Sequence, residues 1–468
     1  MSEKNTQLRI YLQNLLQDDV DLFLKAPKEP NAIRVNTIKS TVTAFRAYLK
    51  KLNQSFVKIP FTKTGFIIYK DDLPLSHTLA FFKGHFQYQG ISSQLPVILL
   101  DVKPGQSVLD MAAAPGSKST QLAAIMQNKG ELVLNDYSRA RLQALNANMQ
   151  RCGATNYYIL NLRGESLGIK FAEYFDKILL DAPCSALGTF AENPEIERWW
   201  SIKRLNKLTK VQYYLLISAI KALKINGEIV YSTCSVAPEE NEMIIQKILA
   251  DYPVEIVDMA PNYRALFSPG FSAYNNQEFS QDMQKAIRIW PHLHQMEGFF
   301  CIKLKKYDSK KRDIVVQTSN FKATYKYDQK AVYDIVNNIS QLWGIPGTIW
   351  ADYRYLMGKT RIWMVSNTIE RVLDESFISG GILLAEKRLF GWKLTNSSMQ
   401  LLSKYISKRR IWLKKMDLFM LFANGKIKNE LINNGYYALE YQNEIIAALY
   451  VDNKEIRIRL PHAFNLIL

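Results

Sequence analysis

Two cysteines, Cys184 and Cys234, stand 50 positions apart, each just after an apolar, strand-like run, "KILLDAP" and "GEIVYST". As a thiolate a cysteine is a nucleophile or a base. As a thiol it is among the small residues most often buried, so Cys184 alone reads equally well as packing. Three aspartates occupy comparable places: Asp110 closes "SVLD", Asp136 follows "ELVLN", and Asp181 closes "KILLD". If these runs are parallel strands of one sheet, their carboxyl ends border one crevice, which is where such sheets bind ligands.

Between Asp110 and Asp136 lies Ala112-Ala113-Ala114-Pro115-Gly116-Ser117-Lys118. Its small side chains allow a ligand to approach the backbone, and the helix that follows presents free N–H groups. It is neither the dinucleotide GxGxxG fingerprint nor the GxxxxGK[ST] phosphate loop. It suits a ligand carrying a nucleoside or an amino-acid carboxylate. After such a loop, Asp136 is placed to accept both hydroxyls of a ribose; without the loop it would read as a helix cap.

The elements that must position these residues follow from periodicity. From about 96 to 306, short apolar strands alternate with helical segments ("STQLAAIMQ", "SRARLQALNANMQRCG", "VQYYLLISAIKAL"), which predicts a parallel sheet with helices on both faces, closed by "GFFCIKLKK". Residues 1–95 read as a smaller α/β unit, with helices at "LRIYLQNLL" and "TAFRAYLKKL" and strands at "AIRVNT" and "GFIIYK". A polar link at 305–313 leads into a mixed middle unit, taken with that link as 307–387, and then a basic unit, 388–468. In the last unit "SKYISKRRIWLKK" reads as a helix with Lys404, Lys408 and Lys415 on one face. The hydrophobic runs after it, broken at "QNE" and "DNK", read as the strands of a small β-barrel.

The 468 residues allow two to four domains. No apolar run nears the roughly 18–20 residues of a membrane span, and "MSEKNTQLRI" lacks the apolar centre of a secretory signal. Cys152, Cys184, Cys234 and Cys301 form no CxxC pair, and there are five His and no HExxH. Neither disulfides nor a metal is expected, and a reducing cytoplasm fits. Sixty Lys and Arg face 43 Asp and Glu, a formal +17, which points to a polyanion, most simply a nucleic acid. From 307 onward there are 24 basic and 15 acidic residues, interleaved with Tyr405, Trp412 and Tyr437, a mixture suited to phosphate contact and base stacking.

Four stretches, "DMAAAPGSKSTQLAA", "NDYSRARL", "LLDAPCSALG" and "YSTCSVAPEENE", carry a family resemblance. Together they resemble the RNA cytosine-5 methyltransferases of the Sun/Fmu type. The match runs from Arg34-Val35-Asn36-Thr37 through "YQGISSQLP" to "EGFF" at 297–300. "AAAPGSK", "NANMQRCG" and the long C-terminal extension most resemble the bacterial RsmF-type enzymes of small-subunit ribosomal RNA. The resemblance implies a Rossmann-like, S-adenosylmethionine-dependent core with an N-terminal α/β RNA-binding unit and C-terminal α+β and PUA-like barrel modules. It implies Cys234 as nucleophile, Cys184 as the residue that assists release, and Asp181 as the group that holds the cytosine. Ala112, Ala113, Ala114, Pro115, Gly116, Ser117, Lys118, Asp136, Arg163 and Asp181 would bind the cofactor. The expected partner is ribosomal RNA or the small subunit, met by a monomer without metal. Two positions depart from the family pattern: Arg163 stands where an acid usually meets the adenine, and Ala186 where a glycine usually follows the cysteine-serine pair. A transfer-RNA methyltransferase, or a non-catalytic RNA-binding or ribosome-assembly protein with a decayed cofactor site, are the alternatives.

Overall fold

The apolar runs that end in chemically capable residues are strands, and they are neighbours. In the computed structural model, which describes residues 3–69, 74–259, 261–309, 329–369, 377–428 and 432–460, β1 (Ser107–Asp110), β2 (Glu131–Asn135), β3 (Tyr157–Leu160), β4 (Phe175–Asp181) and β5 (Leu223–Thr233) lie parallel. Their spatial order is β3-β2-β1-β4-β5. The order reverses between β1 and β4, which opens a crevice at their carboxyl ends. Helices α1 (Ser117–Ile125), α2 (Arg139–Cys152) and α3 (Ile202–Ala222) connect the strands. Strands β6 (Ile287–Ile289) and β7 (Phe299–Lys306) complete the β5 side, both running antiparallel to their neighbours.

Both faces of the sheet are buried, so the strands are apolar at successive positions. Leu109, Val133, Ile178, Leu180, Ile229 and Tyr231 pack on one face. Val108, Leu132, Leu134, Leu179 and Val230 pack on the other. The alternation along each strand follows the two-residue side-chain period. Cys152 and Cys301 are fully buried, Cys301 within this layered core.

The N-terminal unit is a four-stranded antiparallel sheet, Ser55–Lys58, Gly65–Tyr69, Ala32–Val35 and Phe86–Tyr88, covered by the helix Val42–Lys51. It is joined to the core by polar side chains. The buried Arg34 guanidinium donates to Gln89 Oε1 at 2.7 Å and to Thr120 Oγ1 on α1 at 2.8 Å. Asn36 Nδ2 donates to the carbonyls of Gly84 and Cys152, both at 2.8 Å. Lys39 Nζ lies within hydrogen-bond distance of Lys83 O (2.9 Å), Arg151 O (2.8 Å) and Gln400 Oε1 (3.0 Å), so one side chain joins the N-terminal unit, the end of α2 and the C-terminal part.

The C-terminal part holds two further sheets, one of four strands within 353–394 and one of five within 410–458. The "QNE" and "DNK" breaks are tight hairpins. Gln442, Asn443, Asn453 and Lys454 all have positive φ, 51°, 63°, 46° and 62°, as a two-residue type I′ turn requires. One expectation is corrected here. "SKYISKRRIWLKK" is not one helix: it is a short 3₁₀ turn (Ser403–Tyr405), a strand (Arg410–Trp412) and the start of a helix at Lys415. Lys404, Lys408 and Lys415 therefore share no helical face. The helical spacing lost to strand pairing, because Arg410–Trp412 lies parallel to residues 438–440 in the five-stranded sheet. Of the polar link, residues 310–313 lie outside the described residues, as does the start of the middle unit to 328. That unit does not stand apart from the core. Its strand β8 (Phe377–Gly380) pairs antiparallel with β3 and extends the core sheet.

Candidate active site

The register of β4 against β5 sets Asp181 opposite Ser232. Cys184 and Cys234 follow three and two residues later, and their sulfurs meet at 3.2 Å. Both are partly exposed in the crevice. The hydrogen bond to the Cys234 sulfur pushes the Cys184 thiol well above its ordinary range, and burial and the charges of Cys234 and Glu240 add to it.

Asp181 lies on the same rim. Its Oδ2 accepts from Lys118 Nζ at 2.7 Å and its Oδ1 from Ser232 Oγ at 2.7 Å. Lys118 also donates to Ser93 Oγ at 3.1 Å and lies 5.4 Å from the centre of the Phe299 ring. Burial alone would lower its pKa. The charge and hydrogen bond of Asp181, with Cys234 and Asp110, outweigh that and raise it. Lys118 therefore stays a cation in the crevice. Asp110, beneath the loop, is fully buried and accepts from Ser119 Oγ at 2.7 Å; burial pushes its carboxyl up to about 7.

Residues 112–118 turn from β1 into α1. Gly116 has φ +106°, a conformation a side chain would strain. Asp136 stands beside the turn, its Oδ2 accepting from Ala114 N (3.1 Å) and its Oδ1 from Ser138 N (2.9 Å). Asn161 Nδ2 braces the same corner through the carbonyls of Asp136 (2.8 Å) and Tyr137 (3.0 Å). Arg163 is brought to this end of the crevice, but its side chain is 73% exposed and lies 3.7 Å from Glu165.

The donor set fits S-adenosylmethionine over most of its length. The α1 N-terminus with the Lys118 ammonium suits a carboxylate. The buried Asp136 carboxylate accepts from Ala114 N and Ser138 N and has the Arg141 guanidinium 3.6 Å from its Oδ2, which leaves lone pairs on both oxygens for hydroxyls. At the adenine end the fit is weaker, since Arg163 has no acceptor for an amino group.

Several residues that build the site had no role assigned from sequence, Glu240 and Glu242 of the quoted "YSTCSVAPEENE" stretch among them. Ser185 and Ser235, the residues after the two cysteines, have hydroxyls 3.0 Å apart. Glu240 accepts from Ser185 N at 2.8 Å, from Ser185 Oγ, and from Gln212 Nε2 at 2.9 Å. The Gln212 amide also donates to Pro183 O at 2.9 Å. Glu242 is bonded twice by the buried Arg288, whose Nε lies 2.6 Å away, and the Arg288 guanidinium stacks 4.2 Å from the Phe271 ring. The "PEENE" string was the available signal: three carboxylates directly after a reactive strand end. Two glycines are required where the 184–190 loop crosses the start of β7. A Cβ on Gly188 would lie 2.1 Å from Gly298 O. Gly188 N donates to Cys234 O at 2.9 Å, so this crossing holds the backbone of the second cysteine.

Comparison with known proteins agrees with this geometry. Residues 97–305 match the family model described as 16S rRNA methyltransferase RsmB/F. Ribosomal RNA small subunit methyltransferase F of Aeromonas salmonicida is 33% identical over 421 residues, covering 84% of this chain and 85% of that protein. A methyltransferase homolog from Pyrococcus horikoshii superposes with TM-score 0.58 at 31% identity, over 65% of this chain and 100% of its own. NSun6 from the same organism, solved with SFG, gives TM-score 0.57 at 25% identity over 65% and 98%. With a doubly wound core, paired cysteines at two adjacent strand ends and these relatives, the chain belongs to the RsmB/F family of 16S rRNA methyltransferases.

Proposed function

We propose that the protein methylates carbon-5 of a cytosine in small-subunit ribosomal RNA through a covalent bond from Cys234 to carbon-6. The observation that carries this reading is the 3.2 Å approach of the two sulfurs beside the Lys118–Asp181 pair. Carbon-5 of cytosine is a poor nucleophile. Attack of the Cys234 thiolate on carbon-6 turns the ring into an enamine, in which carbon-5 carries electron density. Asp181 holds the ring on its nitrogen edge and compensates the charge that attack develops there. S-adenosylmethionine, when bound at residues 112–118, Asp136 and Asp181, supplies the methyl group. Once the Cys234 sulfur is bound to carbon it no longer holds the proton on Cys184, and Cys184 passes that proton to water. The Cys184 thiolate then takes the carbon-5 proton, the electron pair of that C–H bond re-forms the ring double bond, and the Cys234 sulfur leaves as a thiolate. The basic C-terminal units supply affinity for the RNA backbone. The reading carries with it the cytoplasm as compartment and a single copy of the chain on its RNA.

The test is a pair of substitutions. Cys234→Ala abolishes methylation, with turnover falling more than a thousandfold, and leaves S-adenosylmethionine binding unchanged by calorimetry. Cys184→Ala accumulates a protein–RNA adduct that survives a denaturing gel. Bisulfite sequencing of ribosomal RNA with and without the gene names the cytosine. Turnover by Cys234→Ala within tenfold of the unaltered enzyme, a barrier change below about 1.4 kcal/mol, excludes the covalent role.

A further inference from the structure

Strands β4 and β5 end in two nearly equivalent tripeptides, Pro183-Cys184-Ser185 and Thr233-Cys234-Ser235, with sulfur facing sulfur at 3.2 Å and hydroxyl facing hydroxyl at 3.0 Å. A pair this symmetric has no intrinsic reason to use one sulfur as nucleophile and the other as base. The surroundings break the symmetry. On the Cys184 side lies Glu240, completely buried. Its Oε1 accepts from the Ser185 N–H at 2.8 Å and from Gln212 Nε2 at 2.9 Å, and its Oε2 accepts from Ser185 Oγ. Ser235 Oγ accepts from Ala237 N at 3.1 Å and lies 3.0 Å from Ser185 Oγ, and its hydroxyl also helps to hold the Glu240 carboxylate. Among the described residues no cation pairs with Glu240; the neighbouring arginine, Arg288, is engaged with Glu242. On the other side, Lys118 is tied through Asp181 to Ser232, two residues before Cys234.

We propose that Glu240 is a positioning residue that assigns the two sulfurs their roles. Burial pushes the Glu240 carboxyl up, against which the hydrogen bonds from Ser185, Ser235 and Gln212 favour its charged form. As a carboxylate with no cation paired to it, it keeps the proton on Cys184, while the Lys118 ammonium favours negative charge on Cys234. When the pair loses one proton, the remaining one sits on Cys184 and is donated to the Cys234 sulfur, so the thiolate forms on the strand end that attacks. The upward shift of the Cys184 thiol, led by its bond to Cys234 and by burial with a contribution from Glu240, agrees with this. So does the tendency of Cys234 to raise the Lys118 pKa. The proposal rests on Cys234 being the nucleophile.

The experiment needs neither RNA nor cofactor, so it is separable from the methylation test. The full-length chain is alkylated with iodoacetamide between pH 6 and 10, and each cysteine is followed by peptide mass spectrometry, with the buried Cys152 and Cys301 as internal zeros. In the unaltered protein Cys234 reacts first. In Cys234→Ala, Cys184 stays slow, well behind the rate of Cys234 in Cys184→Ala at the same pH. Adding Glu240→Gln to Cys234→Ala speeds Cys184 about tenfold at neutral pH, which corresponds to one pKa unit, and Glu240→Asp restores the slow rate. A merely structural role for Glu240 would speed Cys234 as much when Glu240→Gln is added to Cys184→Ala, and would not be rescued by Asp. Equal rates for Cys184 in Cys234→Ala and Cys234 in Cys184→Ala overturn the proposal, and that comparison stands even if Glu240→Gln does not fold. An unchanged Cys184 rate in a folded Glu240→Gln protein overturns it too. Methylation by Cys234→Ala would instead refute the nucleophile assignment and leave the alkylation result intact.

Discussion

The crevice and the C-terminal sheets use charge in opposite ways. Around the cysteines, charged groups are buried or half-buried and held by several partners: Arg288 with Glu242, Lys118 with Asp181, Glu240 with three donors. In the C-terminal sheets the pairs are surface pairs, such as Arg361 with Glu386 and Arg410 with Glu440. Lys404, Lys408, Arg409, Lys414 and Lys415 are exposed, and among the described residues Lys404, Lys414 and Lys415 have no ion pair. Large apolar side chains are exposed there as well, Trp412 and Met416 among them. Chemistry needs atoms held within tenths of an ångström. Binding a flexible polyanion needs only a sum of charges at the surface.

The sharpest way to break this contrast is to remove a charge from each region. Arg288→Met leaves Glu242 buried and unpaired, and urea unfolding should show a loss of about 3–5 kcal/mol. Arg361→Ala, at an exposed pair, should cost less than about 1 kcal/mol. Similar losses at the two sites would mean that the regions do not differ in the way proposed.

Next in size is cofactor binding. Asp136→Ala should weaken S-adenosylmethionine by about 1.5–3 kcal/mol, roughly tenfold to a hundredfold, as a charge-assisted hydrogen bond is removed. Arg163→Asp should act in the opposite direction, because it restores an acceptor at the adenine end. Calorimetry that finds neither change would remove both residues from the cofactor site.

On the C-terminal side, replacing Lys404, Lys414 and Lys415 with Ala should weaken RNA binding and flatten its salt dependence. Each phosphate that is no longer neutralised lowers the log–log slope by about 0.7–0.9. Turnover at saturating RNA and cofactor affinity should stay unchanged. A slope equal to that of the unaltered protein would leave these lysines as ordinary solvated surface.

The smallest effect concerns the loop between the regimes of chemistry and packing. Ala186 has φ +57°, where an L side chain is strained. Ala186→Gly relieves that strain at some cost in chain entropy, so a net gain of up to about 1 kcal/mol is expected in thermal unfolding. A loss of stability would show that the Ala186 methyl packs usefully in its partly buried place.

Much of the crevice is legible in the chain itself. Strand ends are local features: an apolar run, a turn residue, then the reactive side chain. Hence Asp110, Asp136, Asp181, Cys184 and Cys234 could be placed at one edge from the alternation of strands and helices alone. The "QNE" and "DNK" hairpins are equally local, since two residues at positive φ suffice. The same local reasoning failed for "SKYISKRRIWLKK", where helical spacing was overridden by pairing with a strand more than twenty positions later.

What the sequence determined by itself, then, is the set of groups whose meaning depends on near neighbours: the small-residue loop, the paired cysteines, the basic surplus and the tight turns. Tertiary structure alone decided which distant groups meet. It closed the sulfurs to 3.2 Å, set Glu240 under Ser185, paired Arg288 with Glu242, and fastened three parts of the chain on Lys39. It also added Phe377–Gly380 to the open edge of the core sheet beside β3, more than 200 positions away. The physical reason is the same in each case. A buried polar group or an open strand edge must find a partner, and the partner is chosen by packing in three dimensions rather than by distance along the chain.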